Sequence, residues 1–340
     1  MSQFEDFQTA EAFDILERMR DRMLCFNDDI QVCASGRFYL YRQSVRKSFL
    51  LLLLFQGTGA VVLAGLINGI RQQGTEYKDA RICFFGAGSS ALGVAAMIAE
   101  LLVREGQLDE STAMSKIYMI DSKGVITNHR GDKLSTQKAR FAQGESCPNM
   151  KELKDIVDFV RPHALFGLSG NGPSFPQEVI STMCKHVDRP MVFPLSNPTS
   201  KAEITHEQAI HWSDGNAIFA AGSPFNNVEY NGKTYKAGQS NNALIFPGLG
   251  FGTASVGATH IPEDLFVVAA KALANTLSSE NLREGQLYPN IENIREISLN
   301  VATETAEAAY DRGIATKHPR PGSMRNFLQQ RRFEPRPSAA

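Results

Sequence analysis

A strand-prone run, Arg81-Ile82-Cys83-Phe84-Phe85, passes through Gly86-Ala87-Gly88 into an apolar stretch, Ala91-Leu92-Gly93-Val94-Ala95-Ala96-Met97-Ile98-Ala99. This order of strand, glycine turn and helix restricts the chain more than anything else in it. It opens a doubly wound α/β unit, in which glycines let the backbone approach a pyrophosphate and amides at the helix N-terminus stabilise its charge. Gly86, Gly88, Ala91 and Gly93 are therefore candidate nucleotide-binding positions. A second strand, Ile117-Tyr118-Met119-Ile120, ends on Asp121, where a ribose-binding acid belongs. A loop insertion at 104–115 would account for its late arrival. Alone, a G-x-G is weak and often only a strand-to-helix connection; the acid-tipped strand supplies the specificity.

Runs at 164–168, 191–195 and 217–220 read as further buried parallel strands, with helical stretches at 150–160, 176–184 and 201–211 between them. The expected fold class is α/β, a Rossmann-like doubly wound NAD(P)-binding domain. Ser122 and Lys138 bear on which nucleotide it takes. A hydroxyl and an ammonium beside the adenosine ribose favour a 2′-phosphate, whereas Asp121 alone favours a free diol. Read by itself, Lys138 is equally a solvated surface lysine.

Composition removes several classes. A net charge of -1 gives no electrostatic case for nucleic acid or for an acidic membrane surface. The five cysteines are far apart, with no C-x-x-C spacing, so reduced thiols are a better reading than disulfides or zinc. The histidines do not cluster, which leaves carboxylates as metal ligands. Glu5-Asp6 and Asp28-Asp29 are the candidate pairs for a hard cation. Each has a plain reading beside that one: Glu-Asp pairs sit solvated at helix starts, and Asp28-Asp29 would cap a helix beginning near Gly57.

One segment does not match its surroundings. Residues 32–56 carry Arg37, Arg42, Arg46 and Lys47, then Phe49, five leucines and Phe55-Gln56. A membrane helix over 49–67 has about the required 20 residues, but it would contain Gln56, Gly57, Thr58, Gly59 and Gly65. Consecutive leucines do not fit an amphipathic helix either. Valine codons begin with GT, a Leu/Phe run can be written in pyrimidines, and glutamine can be encoded CAG. The expectation is a retained intron read in frame.

Without that segment, FNDDIQ (26–31) joins GTGAVVLAGL (57–66), a helix with one core-facing apolar side. With FEDF (4–7), GAGSSALG (86–93), LSNPT (195–199), AAGSPF (220–225), GQSNNALIFPG (238–248) and LYPNI (287–291), the chain resembles the malic enzyme family over nearly everything except 32–56. The resemblance implies oxidative decarboxylation of L-malate to pyruvate and CO2 with reduction of NADP, or of NAD, assisted by Mn2+ or Mg2+. It puts Glu5, Asp6 and Asp29 on the metal-ligand positions. Lys138 falls where NADP-using members carry a lysine, and NADP is the first choice. Asn197 and Asn242 fall where the family holds substrate carboxylate and nicotinamide. Without the family, Asn197 before Pro198 is a turn former and Asn241-Asn242 a loop or helix cap.

Two departures follow from the same comparison. The family's general acid tyrosine and general base lysine precede its Glu-Asp pair, and nothing in residues 1–4 replaces them; Tyr39, Tyr41 and Lys47 are not substitutes merely because they occur in the odd segment. Little malate-dependent NADPH production is expected from these 340 residues, and the alternative is a noncatalytic NAD(P)-binding fragment or pseudogene product. The expected organisation is a remnant of the substrate and metal domain at 1–28, the nucleotide domain at 29–241 with its odd segment, and helices returning to the first domain at 242–312, near 262–277 and 293–311. A basic C-terminal arm at 313–340 is extended from Thr316 and solvated or in contact with another subunit. A homo-oligomer, tetramer or dimer, goes with the family. Glu5, Asp6, Glu11 and Asp14 leave no targeting signal at the start. That favours the cytoplasm, with mitochondrion and plastid left open because the natural start could lie upstream.

Overall fold

The structure is a computed structural model and describes residues 2–4, 25–27 and 56–332. Glu5, Asp6, Asp28, Asp29 and residues 32–55 of the odd segment lie outside the described residues, as do 333–340. Two short strands, β1 (Ser2–Phe4) and β2 (Cys25–Asn27), pair in parallel. The main body begins at α1 (Gln56–Gln73).

A seven-stranded sheet forms the centre. Its strands are β3 (Ile82–Phe85), β4 (Ile117–Asp121), β5 (Gly124–Val125), β6 (Ala164–Gly167), β7 (Met191–Pro194), β8 (Ile218–Ala221) and β11 (Gly238–Gln239), in spatial order β11-β8-β7-β6-β3-β4-β5. All pairings are parallel except β4 with β5. A hairpin of β9 (Val228–Tyr230) and β10 (Lys233–Tyr235) stands apart. The strands are short and apolar throughout because both faces of the sheet are covered.

Alternation along each strand divides the core in two. Phe84, Phe166 and Phe193 face one layer and stack across three adjacent strands, with ring centroids 4.9 and 4.8 Å apart. That core is bounded by α1 and α2 (Ser89–Gly106) and continues beyond α1 into α8 (Phe246–Ser255), α9 (Asp264–Ala274), α10 (Ser279–Arg283), α11 (Ile294–Asp311) and α12 (Met324–Arg331). There α9 and α10 pack on α1, and α11 packs on α8, α9 and α12. Cys83, Leu165, Val192 and Phe219 face the other layer, which holds α5 (Leu153–Val160), α6 (Gln177–His186) and α7 (His206–Trp212), the short α4 (Thr136–Ala139) preceding them in the chain. The result is a three-layer α/β/α arrangement, as the order of elements demands.

Three expectations need correction. The stretch 104–115 is not a loop: α2 runs to Gly106, Gln107 turns left-handed at φ 54°, and α3 (Glu110–Ser115) begins at once, capped by Asp109 accepting from Thr112 N. α1 is not one-sided. Ala60, Val61, Val62, Leu63, Ala64, Leu66 and Ile67 are all buried, because α9 covers the side turned away from the sheet. The tail is not extended throughout. Ser323 accepts from Asn326 N to cap α12, whose Met324 and Leu328, one helical turn apart, are buried. Among the described residues no helix is long and apolar enough to cross a membrane.

Candidate functional site

The strand order reverses between β3 and β6, so a crevice opens at their carboxyl ends, where doubly wound sheets take ligands. Gly86 and Gly88 play different parts there. Gly86 has φ +115°, and a Cβ on it would lie 2.5 Å from the carbonyl oxygen of Leu168, so it lets the turn close over the end of β6. Gly88 has ordinary dihedrals and nothing within 4 Å of where its Cβ would be. It is the N-cap of α2 and supplies no side-chain cap. The amides of Ser89, Ser90 and Ala91 are the first three of the helix, which have no intrahelical acceptor and suit a phosphate. The Ala91 side chain and Gly93 are buried inside the layer.

On the β4 side, Asp121 is held at both oxygens. Arg130 Nη1 donates to Oδ1 at 2.8 Å and Arg130 Nη2 to Oδ2 at 3.1 Å; Lys138 Nζ reaches Oδ2 at 2.7 Å, and the Lys123 amide reaches Oδ1 at 3.0 Å. Arg130 also donates to Asp132 at 2.6 and 3.0 Å, and Lys123 Nζ lies 3.2 Å from Asp132. Burial pushes the Asp121 carboxyl up, but the hydrogen bonds from Arg130 and Lys138 outweigh it and hold it at about 2. Lys123, Arg130 and Lys138 face two carboxylates, which leaves an excess of positive charge. Beside it lies a cavity of about 510 Å³ lined by Phe85, Ile120, Asp121, Ser122, Lys151 and Ser174, roomy enough for an adenosine. Ser122 is exposed at its wall.

The opposite side carries the asparagines. Asn197 follows β7, is exposed, and accepts from Ser223 Oγ at 2.6 Å. Asn242 opens a single tight helical turn, Asn242–Leu244, after β11 pairs with β8 and Ser240 N donates to Ala221 O. Both therefore stand on the β6-to-β11 half of the sheet, across the switch point from Asp121. Asn241 caps its turn by accepting from Ala243 N at 3.0 Å. The buried Tyr288 hydroxyl, 2.8 Å from Ser240 Oγ, donates to Val61 O at 3.0 Å and ties this turn to α1.

The residues missed at the level of sequence are Arg130, Asp132 and Lys123. Their only signal was a basic and acidic pair nine residues past Asp121, which matches no recognised spacing. No cluster of three or more metal-ligating side chains occurs among the described residues, and Glu5, Asp6 and Asp29 lie outside them.

A doubly wound sheet with an open glycine turn, an ion-paired acid at the second strand and an adenosine-sized cavity defines a dinucleotide-binding protein. Residues 55–310 match the family model described as malic enzyme, NAD binding domain, and the chain belongs to that enzyme family. It is 41% identical over 333 residues to the NADP-dependent malic enzyme of Dictyostelium discoideum, covering 98% of this chain and 56% of that protein. It is 39% identical over 328 residues to that of Anas platyrhynchos, covering 96% and 54%. The chain thus spans about half the length of the curated relatives it matches. The crystal structure of Entamoeba histolytica malic enzyme superposes with a TM-score of 0.70 at 23% identity, over 96% of this chain and 58% of that one. The Pyrococcus horikoshii malic enzyme gives 0.67 at 22%, over 96% and 65%. At these identities the likeness is one of fold.

Proposed function

We propose that this chain supplies the nucleotide-binding part of an NADP-dependent malic enzyme, which converts L-malate to pyruvate and CO2. The observation that carries the cofactor preference is the saturation of Asp121. A diol-binding acid needs free acceptor oxygens for two ribose hydroxyls, whereas both oxygens here are engaged by Arg130 and Lys138. The surplus cation beside them suits a 2′-phosphate. Bound there, NADP+ would supply the acceptor for the hydride at malate C2. In this reading Gly86 and Gly88 let the pyrophosphate reach the α2 amides, and Asp121, Ser122 and Lys138 surround the phosphorylated ribose. Asn197 and Asn242 orient nicotinamide and substrate carboxylate on the other side of the switch point. Glu5, Asp6 and Asp29 are proposed as ligands of Mn2+ or Mg2+, the residues at 1–28 and 242–312 as parts of the substrate domain, and a homodimer or homotetramer as the assembly.

Titration of the 340-residue chain with NADP+ and NAD+ tests the cofactor assignment. Lys138→Gln is expected to weaken NADP+ on the order of 10- to 100-fold, the worth of one hydrogen bond to a charged group, and to change NAD+ little. Equal affinities of the variant and the parent for NADP+ would sink it. A separate assay addresses chemistry. With no tyrosine or lysine at the family's acid and base positions, the same polypeptide given malate, Mn2+ and NADP+ is expected to bind nucleotide yet release little NADPH. Brisk NADPH formation would reject that part alone.

A further inference from the structure

Glu203 is fully buried and, among the described residues, pairs with no cation. Its carboxylate instead collects donors from two loops. Ser169 N and Ser169 Oγ reach Oε1 at 3.3 and 3.4 Å, Ser196 N reaches Oε2 at 3.4 Å, and the Ser196 hydroxyl donates to Oε1. The same Ser196 Oγ accepts from Gly170 N at 2.9 Å, so one hydroxyl relays between the loop after β6 and the carboxylate. The backbone of Glu203 holds the far end of that loop, its carbonyl accepting from Ser174 N at 2.9 Å and Phe175 N at 3.0 Å. Gly167 is what lets the carboxylate in, because any Cβ there would collide with the Glu203 side chain.

An ionised carboxylate buried without a cation is costly unless its oxygens are filled by donors. Its use here follows from its being acceptor-only. Every atom it offers draws N–H or O–H groups inward, whereas an amide of the same shape would turn a donor toward one of the loops. The two loops it joins are the ones beyond the switch point. A dinucleotide whose pyrophosphate sits at the α2 N-terminus and whose adenosine lies toward Asp121 must send its other half across β6 toward β7 and β8, past Ser169–Gly170 and Asn197.

We propose that Glu203 is a positioning residue for the nicotinamide half of the bound dinucleotide, holding the Ser169–Gly170 turn and the Ser196–Asn197 turn in fixed relation. The proposal rests on the dinucleotide reading above. It makes a selective demand: loss of Glu203 should harm the nicotinamide side and spare the adenosine side, which is built from β3, β4 and the Asp121 cluster.

The test compares the full chain and its Glu203→Gln variant in titrations with NADPH and with adenosine 2′,5′-bisphosphate, which carries the adenosine half alone. NADPH affinity is expected to fall about tenfold or more while bisphosphate affinity stays within about twofold, and the fluorescence change of bound nicotinamide should shrink. Unchanged NADPH affinity overturns the proposal. So does an equal loss for both ligands, which marks Glu203 as a general support of the fold. Ser196→Ala, which removes the relay hydroxyl but keeps the Glu203 carboxylate and its Ser169 donors, is read in the same pair of titrations should Glu203→Gln fail to fold. It must show the same selectivity in milder form, and affinity equal to the parent overturns the proposal. A parent chain that binds neither ligand rejects the dinucleotide reading itself.

Discussion

Gly86→Ala is expected to destabilise the protein by about 3 kcal/mol or more and to abolish nucleotide binding, whereas Gly88→Ala, two residues on, should leave the fold nearly intact. At Gly86 two penalties coincide. A side chain would be held at φ +115°, and its Cβ would meet backbone atoms of Leu168 and Ser169 at 2.5 to 2.8 Å, where neither partner can rotate away. Relief requires the β3 turn to separate from the end of β6, which opens the crevice floor. Gly88 has φ -75° and open space around it, so alanine costs less than about 1 kcal/mol there. Its methyl group would instead take up open space at the N-cap, next to the α2 amides. Denaturant melts and NADPH titrations of both variants check the contrast: Gly86→Ala should fail in both, Gly88→Ala chiefly in binding. A Gly86→Ala protein of parental stability would mean the turn does not pack on β6 as described.

Phe166→Ala should cost about 3–5 kcal/mol in equilibrium unfolding, the usual range for emptying a buried aromatic site. Phe166 is fully buried in the middle of the sheet, with Phe84 stacked on one side and Phe193 on the other. Its removal takes a ring out of both stacks at once and leaves a void beneath the buried helices of that layer, which the flanking rings on separate strands cannot fill. Phe166→Leu keeps most of the volume and should cost about half as much or less. A loss for Phe166→Ala smaller than about 1.5 kcal/mol would contradict the central position given to this stack.

The nature of each element in the nucleotide unit was legible because it is written locally. The runs at 82–85, 117–121, 164–167, 191–194 and 218–221 are strands in the structure as in the sequence, within a residue or so at each end. Their uniform apolar character marks strands covered on both faces. Where local reading went astray, a contact distant in sequence or a cap decided the outcome. α1 looked one-sided because α9, some two hundred residues later, supplies its second apolar neighbour. The tail looked extended because its prolines and arginines obscured a short apolar pair, Met324 and Leu328, that gains its worth only by packing on α8 and α11. The stretch 104–115 is mostly helical because a left-handed Gln107 ends one helix and Asp109 caps the next.

The site divides in the same way. Gly86, Gly88 and Asp121 announced themselves by spacing, and Lys138 entered through the family resemblance; the structure brings Lys138 onto Asp121 across seventeen positions of chain. Arg130 and Glu203 carried no usable signal, since neither an arginine beside an aspartate in a loop nor a glutamate before a helix suggests which oxygens or amides it will meet. By itself the sequence determined the alternation of buried strands and helices, the glycine turn and the acid that follows it, because backbone freedom and hydrophobic period act between near neighbours. Only the tertiary structure decided that Asp121 is filled by Arg130 and Lys138 and that a buried carboxylate ties together the loops beyond the crevice. Charge and hydrogen bonding are settled by which distant side chains come within about 3 Å of each other, and that is a property of packing.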